Sequence, residues 1–244
     1  WDAAVGSLRG IYSFDDHWSI YGGASQAFRA PNLDDLTGNL TAKSGSTALG
    51  STDLDPEKFI TYEIGSRHQT EDTSLNLAVF YTDVSDLIVA TYTDSTLGTT
   101  IATNAGDGYM YGVELEGAWQ FHPQWTVSGF AAWQDGETET PTFIGSGVTD
   151  EKPNSRLLPL TGSVALRWTD SSGKYWVEGR LLAAAKEDRI DAVDQAADNQ
   201  RIPTGGTPGY IVASVHAGWQ VNGNLALNCG IENLTDEDYR NHGS

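Results

Sequence analysis

The stretch that most constrains this chain is residues 108–134, GYMYGVELEGAWQFHPQWTVSGFAAWQ. From Val113 every second residue is apolar or small: Val113, Leu115, Gly117, Trp119, Phe121. Glu114, Glu116 and Gln120 lie between them. His122-Pro123-Gln124 interrupts the run, and Trp125, Val127, Gly129, Ala131 and Trp133 then alternate with Thr126, Ser128 and Gln134. Period two puts successive side chains on opposite faces of a strand, and a three-residue break between two such runs is an antiparallel hairpin. One face is oily with aromatics at its ends, and the other carries charge. In a water-soluble sandwich the oily face is a core. In a membrane barrel it meets lipid, and the charged face lines the lumen.

The pattern recurs over residues 6–14, 18–28, 57–68, 73–82, 158–169, 174–184, 209–221 and 225–233, which with the central hairpin makes ten strands. Short turns join them in pairs: Asp15-Asp16-His17, residues 69–72, the central break, Ser171-Ser172-Gly173, and Asn222-Gly223, a pair that tolerates the positive φ of a type I′ turn. The other connections are long and polar: residues 29–56, 83–107, 135–156 and 186–207, with residues 87–92 able to extend a strand upward. Short turns alternating with long loops are the layout of an outer-membrane barrel. Structureless loops of this size are unusual in a compact soluble domain unless they bind something. The expected architecture is therefore all-β, an antiparallel transmembrane barrel wall. Leu75, Leu77, Val79, Leu160, Val164, Leu166, Ala213, Val215 and Leu227 should face lipid, and Glu114, Glu116, Glu178 and Arg180 should line the lumen, because a one-residue slip reverses every side chain. Trp119, Phe121, Trp125 and Trp133 fit girdle positions at headgroup depth, as do Trp18 and Tyr21.

Composition agrees. Glycine (27) and the aromatics (8 Trp, 10 Tyr, 7 Phe) are plentiful, which suits strands and their turns. No stretch approaches the roughly 20 apolar residues of a membrane helix, but a barrel strand needs only about 10 alternating ones. The net charge of −19 argues against nucleic acid, whose phosphates need Lys and Arg. With Cys229 alone there is no internal disulfide. The five histidines are scattered without metal-ligand spacing, and neither a nucleophile elbow nor a phosphate-binding glycine loop is present. No cofactor, resident metal or enzymatic activity is expected.

Several segments carry a family resemblance. SQAFRAPNLDD (residues 25–35) resembles the FRAP segment of TonB-dependent outer-membrane receptors, and DPEKFITYEIGSR (55–67) resembles their "PE…YE.G" strand. NAGDGYMYGVELEG (104–117) is similar to their "N.G…GVE.E" strand, and RIPTGGTPGY (201–210) and ENLTDEDY (232–239) to segments near the end of their barrel. Each match is short, but they follow the family's order and cover almost the whole chain. The resemblance implies a barrel of about 22 antiparallel strands around an N-terminal plug. The chain would be its C-terminal part, roughly strands 12 to 21, open or incompletely closed, without the plug or the last strand. It further implies a bacterial outer membrane and its lipid, and TonB-driven uptake of a scarce nutrient such as a ferric siderophore, haem or cobalamin. TonB would act through the absent plug. Some haem receptors of the family carry a His in the loop after FRAP, and residues 32–55 contain none, so the resemblance favours a ferric siderophore or related chelate over haem. A passive porin or a barrel enzyme is the alternative.

Arg29, Arg156, Arg189 and Arg201 fall at strand–loop junctions near the expected outer mouth, with Asp34, Asp35, Asp191 and Asp194 beside them. Arg matches carboxylate and catecholate-like oxygens in a fork, so these are the candidate ligand contacts; pairing with neighbouring aspartates is the plainer reading. Asp188, Asp191, Asp194 and Asp198 share one loop and suit Ca²⁺ by ligand type, though not by EF-hand spacing. Glu114 with Glu116, and Glu178 with Arg180, share a face at i, i+2, which fits acid–base work or, more simply, a polar lumen wall.

Overall fold

The computed structural model describes residues 4–41, 47–94, 96, 98–154, 156–191, 194 and 202–243. In chain order the elements are β1 (Ser7–Ser13), β2 (Trp18–Arg29), α1 (Leu33–Thr37), β3 (Asn39–Thr41), β4 (Thr47–Leu49), β5 (Glu57–Gln69), β6 (Thr73–Tyr92), β7 (Thr99–His122), β8 (Trp125–Pro141), β9 (Thr149–Pro153), β10 (Thr161–Thr169), β11 (Tyr175–Ala184), β12 (Tyr210–Asn222) and β13 (Leu225–Ile231). All thirteen strands of the described residues belong to one sheet, ten of them along the path β1-β2-β5-β6-β7-β8-β10-β11-β12-β13, with β3, β4 and β9 off it. Every neighbouring pair on that path is antiparallel, and the short turns all lie at one end. No ladder joins β1 to β13 among the described residues, so the sheet is not closed.

The ten expected strands are all present along that path, but the long connections are not the bare loops expected. They hold a helix, α1, and three short strands, β3, β4 and β9. β4 pairs in parallel with the start of β7, an added strand the alternation rule does not anticipate. The connections at residues 83–107 and 135–156 are also shorter than expected, because β6, β7 and β8 run on as strands far above the alternating zone.

Cross-strand register assigns the faces. Val79 opposes Val113, which opposes Trp133, and one row lower Leu77, Leu115 and Ala131 line up. Leu166 sits between Val127 and Gly179. The aliphatic side chains on this face are not in a core: Leu77 is 39 % exposed, Val164 49 % and Leu227 50 %, and no side chain is fully buried among the described residues. Ala213 shares the face but is half-buried. A soluble sandwich would have buried these rows, whereas lipid is the solvent that accepts them.

Two aromatic belts bound the apolar face. Trp18, Trp119, Phe121, Trp125, Trp168, Tyr175 and Trp219 lie toward the short turns. Tyr62, Tyr81, Tyr111 and Trp133 lie toward the other end, with the Tyr111 and Trp133 rings edge to face at 5.6 Å. Trp119 to Tyr111 is about eight residues, roughly 27 Å along a strand. A tilt of about 40° shortens that to roughly 21 Å, close to the apolar band of about 25 Å of such barrels. Tyr21 departs from its expected belt position. Register puts it on the polar face beside Gly65, where an added Cβ would lie 2.2 Å from the tyrosine ring, so only glycine leaves room for the ring to lie flat.

Candidate functional site

Above the upper belt the chain builds a folded mouth, and its anchor is Arg29 at the top of β2. Its Nε and Nη2 donate to the two carboxylate oxygens of Glu57 at 2.5 and 2.6 Å, and its Nη1 donates to Asp35 at 3.0 Å. Glu57 is 3 % exposed, and its Oε1 also accepts from the Ile88 backbone N–H at 3.0 Å. The carboxylate holds the guanidinium proton more tightly than usual. Asp35 closes a capping box with Asn32 at the start of α1. Arg29 and Asp35 are thus brought together by the fold, with Asp34 exposed on the same helix.

Asn104 makes a second knot at the same height. Its amide accepts from Asp55 N–H at 2.7 Å and donates to the carbonyls of Asp55 at 2.8 Å and Asp86 at 2.7 Å. Asp86 holds φ 59° at the bulge where β6 leaves regular pairing with β7. Sequence reasoning gave Glu57 and Asn104 no role. Their signal was present all the same, since both stand inside the PE and N.G segments that carry the family resemblance.

Arg189 lies elsewhere. It pairs with Asp135 and Glu137, which alternate on β8 with Trp133 and so occupy the apolar face's upward continuation. Tyr109, opposite Glu137, donates to it at 2.7 Å, and that hydrogen bond pushes the phenol up to about 12. Arg156, with φ 62°, stands 3.9 Å from buried Asp194. The Asp194 N–H donates to the Asp191 carbonyl at 3.0 Å. Asp188 pairs with Lys186 at 2.8 Å, which lowers its carboxyl below the usual range. Arg201 and Asp198 lie outside the described residues. Among the described residues no three His, Cys, Asp or Glu are placed to hold a metal ion, and Arg29, Arg156 and Arg189 each take different acidic partners.

On the polar face of the lower wall stand Glu114 and Glu116 of β7, opposite Ala132 and Phe130 of β8. Glu178 lies between Arg180 at 2.8 Å and Arg167 at 3.9 Å. The Arg167 guanidinium rests 3.9 Å over the Trp176 ring. His216 meets Glu232 at 2.6 Å. Glu178 is thus paired with two arginines and His216 with Glu232, while the second ring nitrogen of His216, Nδ1, is buried without a hydrogen-bond partner.

Comparison with known proteins matches this geometry. The model of the "TonB dependent receptor-like, beta-barrel" family covers residues 1–234. The pesticin receptor of Yersinia enterocolitica is 25 % identical over 244 residues, 99 % of this chain and 32 % of that protein. The catecholate siderophore receptor Fiu of Escherichia coli K12 is 29 % identical over 233 residues, 94 % of this chain and 28 % of that protein. Among solved structures, the copper transporter OprC superposes with a TM-score of 0.76 at 23 % identity, covering 98 % of this chain and 34 % of that one. The ferric yersiniabactin uptake receptor FyuA of Yersinia pestis gives 0.66 at 21 %, covering 96 % and 32 %. This chain spans about a third of the length of these proteins. Its strands, belts and mouth are a stretch of bacterial outer-membrane barrel wall, and the chain belongs to the TonB-dependent receptor β-barrel family.

Proposed function

We propose that the chain forms part of the barrel of a receptor that takes up a ferric siderophore or related iron chelate across the outer membrane, driven by TonB through an N-terminal plug. The observation that carries this reading is the family match over residues 1–234, joined to relatives named as siderophore receptors. The geometry is consistent with it. The lipid band is apolar and girdled, the opposite face alternates with it in polarity, and the described parts of the long connections carry α1, β3, β4 and β9. Unpaired strand edges in lipid cost several kcal/mol per group, so β1 and β13 are taken to pair with further strands of a larger barrel. Ligand contacts are assigned to the mouth: Asp34, Arg156, Asp191, Asp194 and Arg201, with Arg29 and Asp35 fixing its shape and Arg189 holding its outer side. Glu114, Glu116, Glu178 and Arg180 are assigned to the lumen wall.

The test is uptake of radioactive iron by cells that lack their own siderophore receptors and express the complete gene. Ferric complexes of a catecholate, a hydroxamate and citrate are the probes. The reading expects saturable uptake of at least one, abolished by an uncoupler or by loss of TonB. Uptake of none, or uncoupler-insensitive diffusion of all, contradicts it.

A further inference from the structure

We propose that Arg29 is a positioning residue that couples α1 to the upper β6–β7 hairpin, so that the two lobes of the mouth move as one unit. This rests on the receptor reading above but not on any particular ligand. Helix α1 has five residues, none of them buried. A helix that short is not stable by itself, and polar ties must hold it. Two come from its own loop: Gly50 N–H to Gly38 O at 2.7 Å and Ser51 N–H to Asp35 O at 2.9 Å. That loop is itself anchored through β4, which pairs with the start of β7 and runs into Gly50 and Ser51; the side-chain tie from the helix to β2 is the Arg29 Nη1 bond to Asp35.

The other prongs of the fork are committed to Glu57, whose side chain is 4 % exposed against 19 % for Asp35. Glu57 reaches beyond Arg29 to the Ile88 backbone just past the β6 bulge, where its Oε1 accepts two hydrogen bonds. The carboxylate is therefore a hinge pin shared by β2, β5 and β6, and Arg29 extends its hold to the helix. Without the guanidinium, Glu57 keeps a buried charge with a single backbone donor. It must rehydrate or protonate, and either change withdraws it from Ile88. Losing Arg29 thus loosens both lobes, whereas losing the Asp35 carboxylate loosens the helix alone.

Spin labels placed on the complete gene product test this, in a Cys229→Ser background. One pair joins Leu33 on α1 to Ile64 on the lipid face of β5, and the other joins Tyr92 at the top of β6 to Ile64. Double electron–electron resonance should give narrow distance distributions for both pairs in the parent. Arg29→Gln should broaden both, Asp35→Asn should broaden only the Leu33 pair, and Arg29→Lys should partly restore the Tyr92 pair. Broadening of the Leu33 pair alone in Arg29→Gln, or of neither pair, overturns the coupling. A second readout separates positioning from plain stability. Asp35→Asn should raise the half-saturating concentration of any ferric chelate the parent imports by about fivefold, with maximal rate and receptor abundance unchanged. An equal fall in rate and abundance means a structural role only. If the parent imports no chelate, the receptor reading fails while the distance measurements still decide the coupling.

Discussion

β8 passes through two regions with opposite logic. From Trp125 to Trp133 its odd residues are apolar or glycine, and its even ones are Thr126, Ser128, Phe130 and Ala132, so apart from Phe130, which shares the polar face with Glu116, lipid sorts them. Two residues higher the odd positions become Asp135, Glu137 and Glu139, on the same face, and the strand continues to Pro141. There the face is held by Arg189 and Tyr109. Below Trp133 a side chain is placed by the solvent it avoids. Above it, placement depends on a named partner that can come from a distant loop. Substitutions should therefore behave differently on the two sides of the belt.

The largest effect is expected in the lipid band. Leu77→Arg, midway between the belts, should cost about 2–4 kcal/mol and lower the denaturant midpoint of the barrel refolded in bilayers. A neutral outcome would mean that Leu77 does not face lipid. Next is Arg29→Gln, which strands a buried carboxylate. Breaking a wholly buried pair costs roughly 3–5 kcal/mol. Arg29 itself is 42 % exposed, so the cost should be nearer ~2–3 kcal/mol, read as faster proteolysis of the mouth with the membrane band intact.

A smaller effect is expected at the opposite end, in the β10–β11 turn. Asp170 accepts from the Ser172 hydroxyl and from the Tyr175 and Ser172 N–H groups, which depress it from 3.8 to about 2. A carboxyl lowered by folding stabilises the fold above its unfolded value and loses that contribution as pH falls through the folded one. Asp170→Asn should therefore destabilise at pH 7, by an amount that shrinks as pH falls from about 4 and vanishes only below about 2, and a difference undiminished in acid would refute the turn assignment. Smallest is Arg189→Gln, an exposed pairing worth about 0.2–1 kcal/mol. Its effect should shrink further in high salt, whereas the Leu77→Arg effect should not.

The same contrast explains what the sequence reveals. Within the band, period two, the turn residues and the belts are enough to place ten strands and their register faces. Val113 and Leu115 fall in register with Leu77, Val79, Ala131 and Trp133, and Glu114 and Glu116 alternate with them, because each side chain answers to its own polarity. Tyr21 misleads because a ring can lie flat on the polar face when Gly65 opposes it, a fact of two strands rather than one. Above the band, the polar runs over residues 83–107 and 135–156 look like loops because backbone pairing carries no polarity signal. α1 and the β4–β7 pairing were illegible for the same reason. In the mouth, the residue types and the near partner Asp35 were legible, and the distant partners were not. Arg29 looks like an anion-binding arginine until Glu57, 28 positions away in sequence, is seen to occupy its fork.

The most direct test is a nitroxide scan of β8 from residue 125 to residue 139 in the complete gene product in bilayers, reading collision rates with oxygen and with a water-soluble nickel chelate. The account predicts oxygen maxima at 127, 129, 131 and 133 alternating with minima, and an abrupt change to nickel access on the same face at 135, 137 and 139. Continuous water access along both faces, or a run from 127 to 133 reached by neither reagent, would contradict a lipid-facing barrel wall.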